Sequence, residues 1–293
     1  MPSLVSSSDS DLPSLPPALS DDDESLPPSL CDEFDSLSDD EQPMEAEVKG
    51  FYVPSPHEAR QLIAAPVPCK HDIAEFYSPP RVLAAARDMG QVGNISLDLT
   101  TGWNFHCGSL RALSCQLLTA LCIGLLVLSP PCTMFSQLQW LWNVKKMTQE
   151  YFNLRMIEAR QYIKHSMECA RIQVLEGRRF VFEQPAGAKS WNEPDVRNVE
   201  ALDGVQIVTV DQCMLGLKSK AGIPMRKRTK LMTNCHVLAQ RFRAVGLCDG
   251  SHEHQTIQGQ EGGVRRSVWA QRYPELMCQL IAKPVSGSAC TSA

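Results

Sequence analysis

Two short runs of this chain end at a pair of prolines: "DIAEFYSPPRV", around Phe76, and "LLVLSPPCTMFS", around Leu128. Proline donates no ladder hydrogen bond, so neither run can continue as a strand beyond its Pro-Pro pair, and an apolar run as short as Leu125 to Leu128 suits a strand buried on both faces. Between them, "VLAAARDMG" reads as a short helix closed by Gly90 and "NISLDLTTG" as a second strand, which makes a βαβ unit. Leu110 to Ala120 suits a helix feeding the strand at Leu125. A longer helix follows, with Met156, Ala159, Ile163, Met167, Ala170 and Val174 at three- or four-residue steps, stopping near Gly177. "RRFVFEQP" and "GVQIVTVDQC" then read as strands, and "RYPELMCQLIA" as a closing helix from about Pro274. Strands alternating with helices predict an α/β fold: a Rossmann-like open, mostly parallel sheet with flanking helices.

Charge divides the chain. The 14 acidic residues before Lys49 stand without one Lys or Arg, which leaves 19 acidic against 28 basic residues in the remainder. Residues 1–48, rich in Ser, Pro, Asp and Glu, bury too little apolar surface to offset chain entropy and are expected to be a disordered acidic tail, either solvating or binding a protein partner. Residues 49–67 read as a linker, 68–285 as the folded domain and 286–293 as a flexible end. A basic body favours an acidic partner such as nucleic acid. The longest apolar run, Leu117 to Leu128, is far shorter than the roughly 20 residues of a membrane-spanning helix, so no membrane segment is expected. No charged and apolar leader opens the sequence, and the 12 cysteines are therefore expected to be reduced thiols of an intracellular protein, nuclear or cytoplasmic and not secreted.

In such a sheet, chemistry belongs at the carboxyl ends of the strands. The strand ending in "LSPP" delivers Cys132 to that edge and "FVFEQP" delivers Glu183; if the two strands are parallel neighbours, thiol and carboxylate face one crevice. Asp98, 22 residues beyond Phe76 on the second strand, stands where an acid holds the ribose hydroxyls of a nucleoside cofactor.

The order "EFYSPPRV", "SLDLTTGWNF", "LLVLSPPCTMFS", "FVFEQP" and "TVDQCMLGL…RKRTKLMTN" resembles the S-adenosylmethionine-dependent DNA cytosine-C5 methyltransferases, in particular compact divergent members of phages and retroelements, over about residues 72 to 283. The resemblance implies Cys132 as the nucleophile that adds to carbon 6 of cytosine and Glu183 as the acid that stabilises the adduct, both acting on a base flipped from the duplex. It also implies S-adenosylmethionine as cofactor, with Phe76 and Ser78 at its methionine side, Asp98 on the ribose, Asn104 near adenine and Pro130 beside the reactive methyl. In that family the turn after the first strand is glycine-rich; here it is "FYSPPR", without glycine.

Two other readings of the same residues stand beside this one. "SPPC" satisfies three of the four positions of the amine (N4/N6) DNA methyltransferase motif, Cys132 replacing the aromatic residue. The fold could also persist in a nucleic-acid-binding accessory protein of a mobile element that has lost turnover. Arg226, Lys227, Arg228 and Lys230 of "MRKRTK" are the densest basic cluster, expected to contact DNA phosphates. Finally, Cys248, His252 and His254 in "LCDGSHEHQ" offer three zinc ligands.

Overall fold

The structure, a computed structural model, describes residues 53–64, 72–91, 95–142 and 144–285. The expected acidic tail and flexible C-terminus lie outside the described residues. Within them are α1 (Pro56–Ala64), β1 (Ile73–Phe76), α2 (Arg81–Asp88), β2 (Ile95–Leu97), α3 (Gly108–Leu121), β3 (Leu125–Leu128), α4 (Gln137–Trp142), α5 (Gln149–Leu175) and β4 (Arg179–Pro185). These are followed by α6 (Pro194–Glu200), β5 (Gln206–Asp211), β6 (Arg228–Thr233), α7 (His236–Val245), a small hairpin of β7 (Gln260–Glu261) and β8 (Val264–Arg265), α8 (Arg266–Ala270) and α9 (Glu275–Ala282).

Six strands form one sheet in the order β2-β1-β3-β4-β6-β5. β2, β1, β3 and β4 run parallel, and β6 is antiparallel to both β4 and β5. The fold is therefore the expected α/β one, a mostly parallel open sheet with helices on both faces. Because successive strand residues point to opposite faces, each parallel strand feeds two cores. Ala74, Phe76, Leu126, Leu128, Phe180 and Phe182 pack with α3, α5 and α6 on one face. Ile73, Leu125, Val127 and Val181 pack with α2, α7 and α9 on the other. Glu75 and Glu183 fall in the second set by the same alternation, so both carboxylates leave the sheet on the side of α2 and α9.

The long helix is α5: its N-terminus is capped by Thr148, whose hydroxyl accepts the Tyr151 N–H at 3.2 Å, and Met156, Ala159, Ile163, Met167 and Ala170 are all buried. Three elements differ from the sequence reading. β2 stops after Leu97 because Asp98 turns inward to cap a short 3₁₀ turn, with its backbone N–H donated to the Thr101 hydroxyl at 2.8 Å. The segment expected to be linker contains α1, whose Ala59 is fully buried, and the Trp103 indole donates to the Pro54 carbonyl at 2.8 Å. β6 was hidden by its charges: "RTKLMT" presents Arg228 and Lys230 on its wetter face while Thr229 and Leu231 are buried. Among the described residues, no helix is long and apolar enough to cross a membrane.

Candidate functional site

The chain leaves β1 in one direction towards β2 and later returns to β1's other side as β3, so the carboxyl ends of β1 and β3 form the point where the strand order reverses, the usual ligand crevice of such sheets. Tyr77, the first residue past β1, has φ of +64°, the left-handed region that suits glycine and strains a bulky side chain. The glycine-free turn thus takes the backbone a glycine would take. Tyr77 is held there by its ring against Phe105, centroids 4.5 Å apart, and by its hydroxyl, 2.6 Å from Nδ1 of the buried His165.

One residue earlier, Phe76 is 1% exposed and contributes its ring to the core, so only its backbone borders the crevice. Ser78 is also buried, its hydroxyl donating to Glu75 Oε1 at 2.9 Å. The other Glu75 oxygen accepts the N–H groups of Val82 and Leu83 at 3.0 and 3.2 Å, capping the first turn of α2 from below. Burial pushes this carboxyl up to about 8, although those hydrogen bonds and nearby Arg81 pull the other way. Glu75 is thus the residue that shapes the turn. Its signal in the sequence was a charged residue in an otherwise apolar strand.

At the neighbouring strand end, Asp98 is half-buried, and its Oδ1 accepts from the Thr100 N–H at 2.9 Å and from the Thr100 hydroxyl at 2.6 Å. Asn104 is half-buried in the following loop and its side-chain oxygen accepts the His106 N–H at 3.0 Å.

β3 and β4 are parallel neighbours, with Leu128 opposite Phe182, so the residues that follow them emerge side by side. Cys132 stands at the start of a 3₁₀ turn after Pro131, half-buried. Burial raises its thiol above the ordinary value; the charge of Lys227 opposes this and that of Glu183 adds to it. The three groups therefore share one electrostatic site. Glu183 Oε2 accepts from the Tyr273 hydroxyl at 3.1 Å, and that hydroxyl lies 2.6 Å from the Ser129 hydroxyl, so a Ser129–Tyr273–Glu183 chain crosses the ends of both strands. The other carboxylate oxygen is buried without a hydrogen bond, facing Lys227 Nζ at 3.4 Å. The two loops are held together by Gln184, whose amide donates to the Pro130 carbonyl at 2.6 Å. Gly187 adds to this by close approach: a Cβ there would lie 2.7 Å from the Gln137 side chain. Tyr273 and Ser129 were not legible as site residues, since a tyrosine before a C-terminal helix and a serine in a turn have ordinary structural uses.

The four residues of the basic cluster have different surroundings. Lys227 faces Glu183. Arg228 makes a two-pronged ion pair with the buried Asp211, 2.9 Å on each prong, and Lys230 lies over the Trp191 ring at 5.5 Å. Arg226 and Arg228 are the exposed members.

Among the described residues, two groups of Cys and His side chains could hold a metal ion. One joins Cys248, His252 and His254, as expected, to Cys213, which the sequence reading passed over because it lies 35 residues upstream in "VDQC". Cys248 Sγ is 3.7 Å from His252 Nε2 and 3.4 Å from His254 Nε2, and the latter is 3.4 Å from Cys213 Sγ. The other group was not foreseen: Cys115, His165 and Cys169, one helical turn apart on α5 for the last two, with Cys115 Sγ 3.7 Å from Cys169 Sγ and Cys169 Sγ 3.3 Å from His165 Nε2. The Ser114 hydroxyl lies 2.8 Å from the same His165 nitrogen, which fixes the ring from both sides together with Tyr77. No described cysteine is in a disulfide.

No protein-family model matches the chain, and no curated protein matches it.

Proposed function

We propose that this chain is a methyltransferase-type domain acting on nucleic-acid bases, with DNA cytosine as substrate, S-adenosylmethionine as methyl donor and Cys132 as nucleophile. The observation that carries the reading is that Cys132 follows β3 and Glu183 lies near the end of β4, its parallel neighbour, with Lys227 paired to Glu183 at 3.4 Å, beside the point where the strand order reverses.

The residues at the reversal point suit a nucleoside cofactor: the turn after β1 has the left-handed backbone that a close-approaching turn requires, and Asp98 offers a half-buried carboxylate at the end of β2. Asp98 would hold the ribose, with the Tyr77–Ser78 backbone, Asn104 and Pro130 around the rest. When bound, S-adenosylmethionine supplies an electrophilic methyl group. The chain's own groups do the remaining work. Cys132, as thiolate, adds to carbon 6 of a flipped cytosine, and Lys227 lowers the cost of that charge in a buried site. Glu183, positioned by Tyr273, holds the proton shared with the ring nitrogen and so stabilises the adduct.

Methylation of an exocyclic amine is less well served. The first aromatic residue after "SPPC" is Phe135, which is 1% exposed and committed to the core, leaving no ring there to stack on a base. Zinc is the ion that suits the Cys213, Cys248, His252 and His254 group, whose mixed thiolate and imidazole donors match its preference.

Calorimetric titration of the full chain with S-adenosylmethionine tests the reading. Saturable binding that weakens about tenfold or more, 1.4 kcal/mol, in Asp98→Ala is expected. A chain that binds none is no methyltransferase.

A further inference from the structure

We infer that Cys213, Cys248, His252 and His254 form a closed, structural zinc site that staples the loops 212–227 and 246–258 to each other beside the edge strand β5, separate from the Cys132 centre. The inference does not rest on methyl transfer. It goes beyond the identity of the metal to the completeness of the ligand set and what the ion does.

Distances carry it first. Zinc bonds to sulfur at about 2.3 Å and to imidazole nitrogen at about 2.0–2.1 Å, so a tetrahedral angle puts a sulfur and a nitrogen ligand about 3.5 Å apart. Three of the four sulfur–nitrogen separations here are 3.4, 3.4 and 3.7 Å, and all four ligand atoms lie within 4.8 Å of one another. Hydrogen bonding gives little reason to gather two thiols and two imidazoles around one point, since a thiol is both a weak donor and a weak acceptor for the rings. Two thiolates neutralise the ion, and four protein ligands leave no open position, as in structural rather than catalytic sites.

The surroundings point the same way. The Gly250 N–H donates to Cys248 Sγ at 3.4 Å, and the Cys248 N–H donates to Asp211 Oδ2 at 3.0 Å, outer bonds that orient a thiolate ligand. Cys213 leaves the carboxyl end of β5, and Cys248 follows α7, so the ion would join two segments that meet at the sheet's edge strand. β6 and α7, which lie between the two cysteines, are held by the sheet and its second core, but the loops on either side, residues 212–227 and 246–270, have little of their own: their apolar cluster is Leu217, Met225 and Ala270, with Ile257 and Trp269 half-buried against them. A core that small gives such loops little order, and small modules of this kind are commonly stabilised by a metal. Asp211 carries the effect inward, since the carboxylate that receives the Cys248 N–H also fixes Arg228 at the start of β6, next to Lys227.

Metal analysis of the full chain, expressed with added zinc and purified reduced without DNA or methyl donor, tests the site and cannot be confused with failure of the methyl-transfer reading. One zinc per chain is expected. Cys213→Ser should lose it, whereas Cys115→Ser, in the other Cys/His group, should keep it. Because loss of the ion can unfold the segment, His254→Cys gives a second arm: with four ligands preserved it should retain zinc, and its cobalt-substituted form should absorb more strongly in the thiolate-to-metal region than the wild type's. A wild-type chain that folds without zinc, a Cys213→Ser chain with undiminished zinc, or a His254→Cys cobalt spectrum unchanged from wild type would overturn the inference.

Discussion

Replacing Glu75 with Gln should remove one pH-dependent contribution to stability, of a size that can be worked out from its surroundings. The carboxyl is fully buried and burial pushes it up to about 8, against an ordinary value of 4.5 in the unfolded chain. Between those values the folded chain keeps a proton that the unfolded chain has released, so this contribution to stability is full below about pH 4.5 and is lost as the pH rises through about 8. A gap of about 3.5 units at about 1.4 kcal/mol each amounts to about 5 kcal/mol. Gln removes the titration. Its amide oxygen still accepts the Val82 and Leu83 N–H groups, but the Ser78 hydroxyl loses the carboxylate as acceptor and keeps only the Pro79 carbonyl at 3.1 Å, at a cost of about 1 kcal/mol. Glu75→Gln should therefore be about 1 kcal/mol less stable than wild type near pH 4.5 and about 4 kcal/mol more stable above pH 8. Urea unfolding of both chains across that range gives the difference directly and cancels the other titrating groups. A difference that stays flat with pH would refute the assignment of Glu75 as a buried acid whose desolvation outweighs its hydrogen bonds under the first turn of α2.

Other substitutions probe the remaining contacts. Tyr77→Phe leaves His165 Nδ1 buried without its partner and should cost about 1–2 kcal/mol in urea unfolding, whereas a purely surface tyrosine would cost nothing. Arg228→Ala strips the buried Asp211 of its guanidinium; Asp211 is held below its ordinary carboxylate value mainly by that pair, so wild type should lose stability as the pH falls below about 3.8 and the variant should lack that loss. Lys227→Met should slow alkylation of Cys132, followed by peptide mass spectrometry, because the remaining neighbours, burial and Glu183, both disfavour the thiolate. For duplex DNA, neutralising Arg226 and Lys230 together should flatten the log–log salt dependence by about two units, and an unchanged slope would remove both from the phosphate contacts.

The sheet was legible because its signals are local. "LLVLSPP" and "EFYSPP" carry both the apolar run and its stop, and the helical period from Met156 to Ala170 survives in the buried face of α5. β6 was missed because a strand with Arg228 and Lys230 outward is read by charge before it is read by alternation, and pairing with both β4 and β5 is what buries its other face. The same limit applies to the site. Cys132 and Glu183 could be placed from the strand ends they follow, but Tyr273 reaches Glu183 across 90 residues, and Cys213 completes its metal group across 35. Such partners are chosen by topology and leave no spacing to read. Glu75 and Tyr77 show a different gap: the sequence has no glycine at the turn, and only the backbone reveals that a tyrosine, fixed by His165 and Phe105, occupies the glycine-like conformation.

The most direct test of Cys132 as nucleophile is a trapping experiment with duplex DNA carrying 5-fluorocytosine, in the presence of S-adenosylmethionine. Fluorine at carbon 5 blocks the final elimination, so addition of the Cys132 sulfur at carbon 6 leaves a protein–DNA complex that survives denaturing electrophoresis. The wild-type chain should form that complex, Cys132→Ser should form none, and Glu183→Gln should form it more slowly, since the carboxylate assists the addition without making the bond. A wild-type chain that methylates the unmodified duplex but is never trapped, or a Cys132→Ser chain that is trapped as well as wild type, would contradict the central claim.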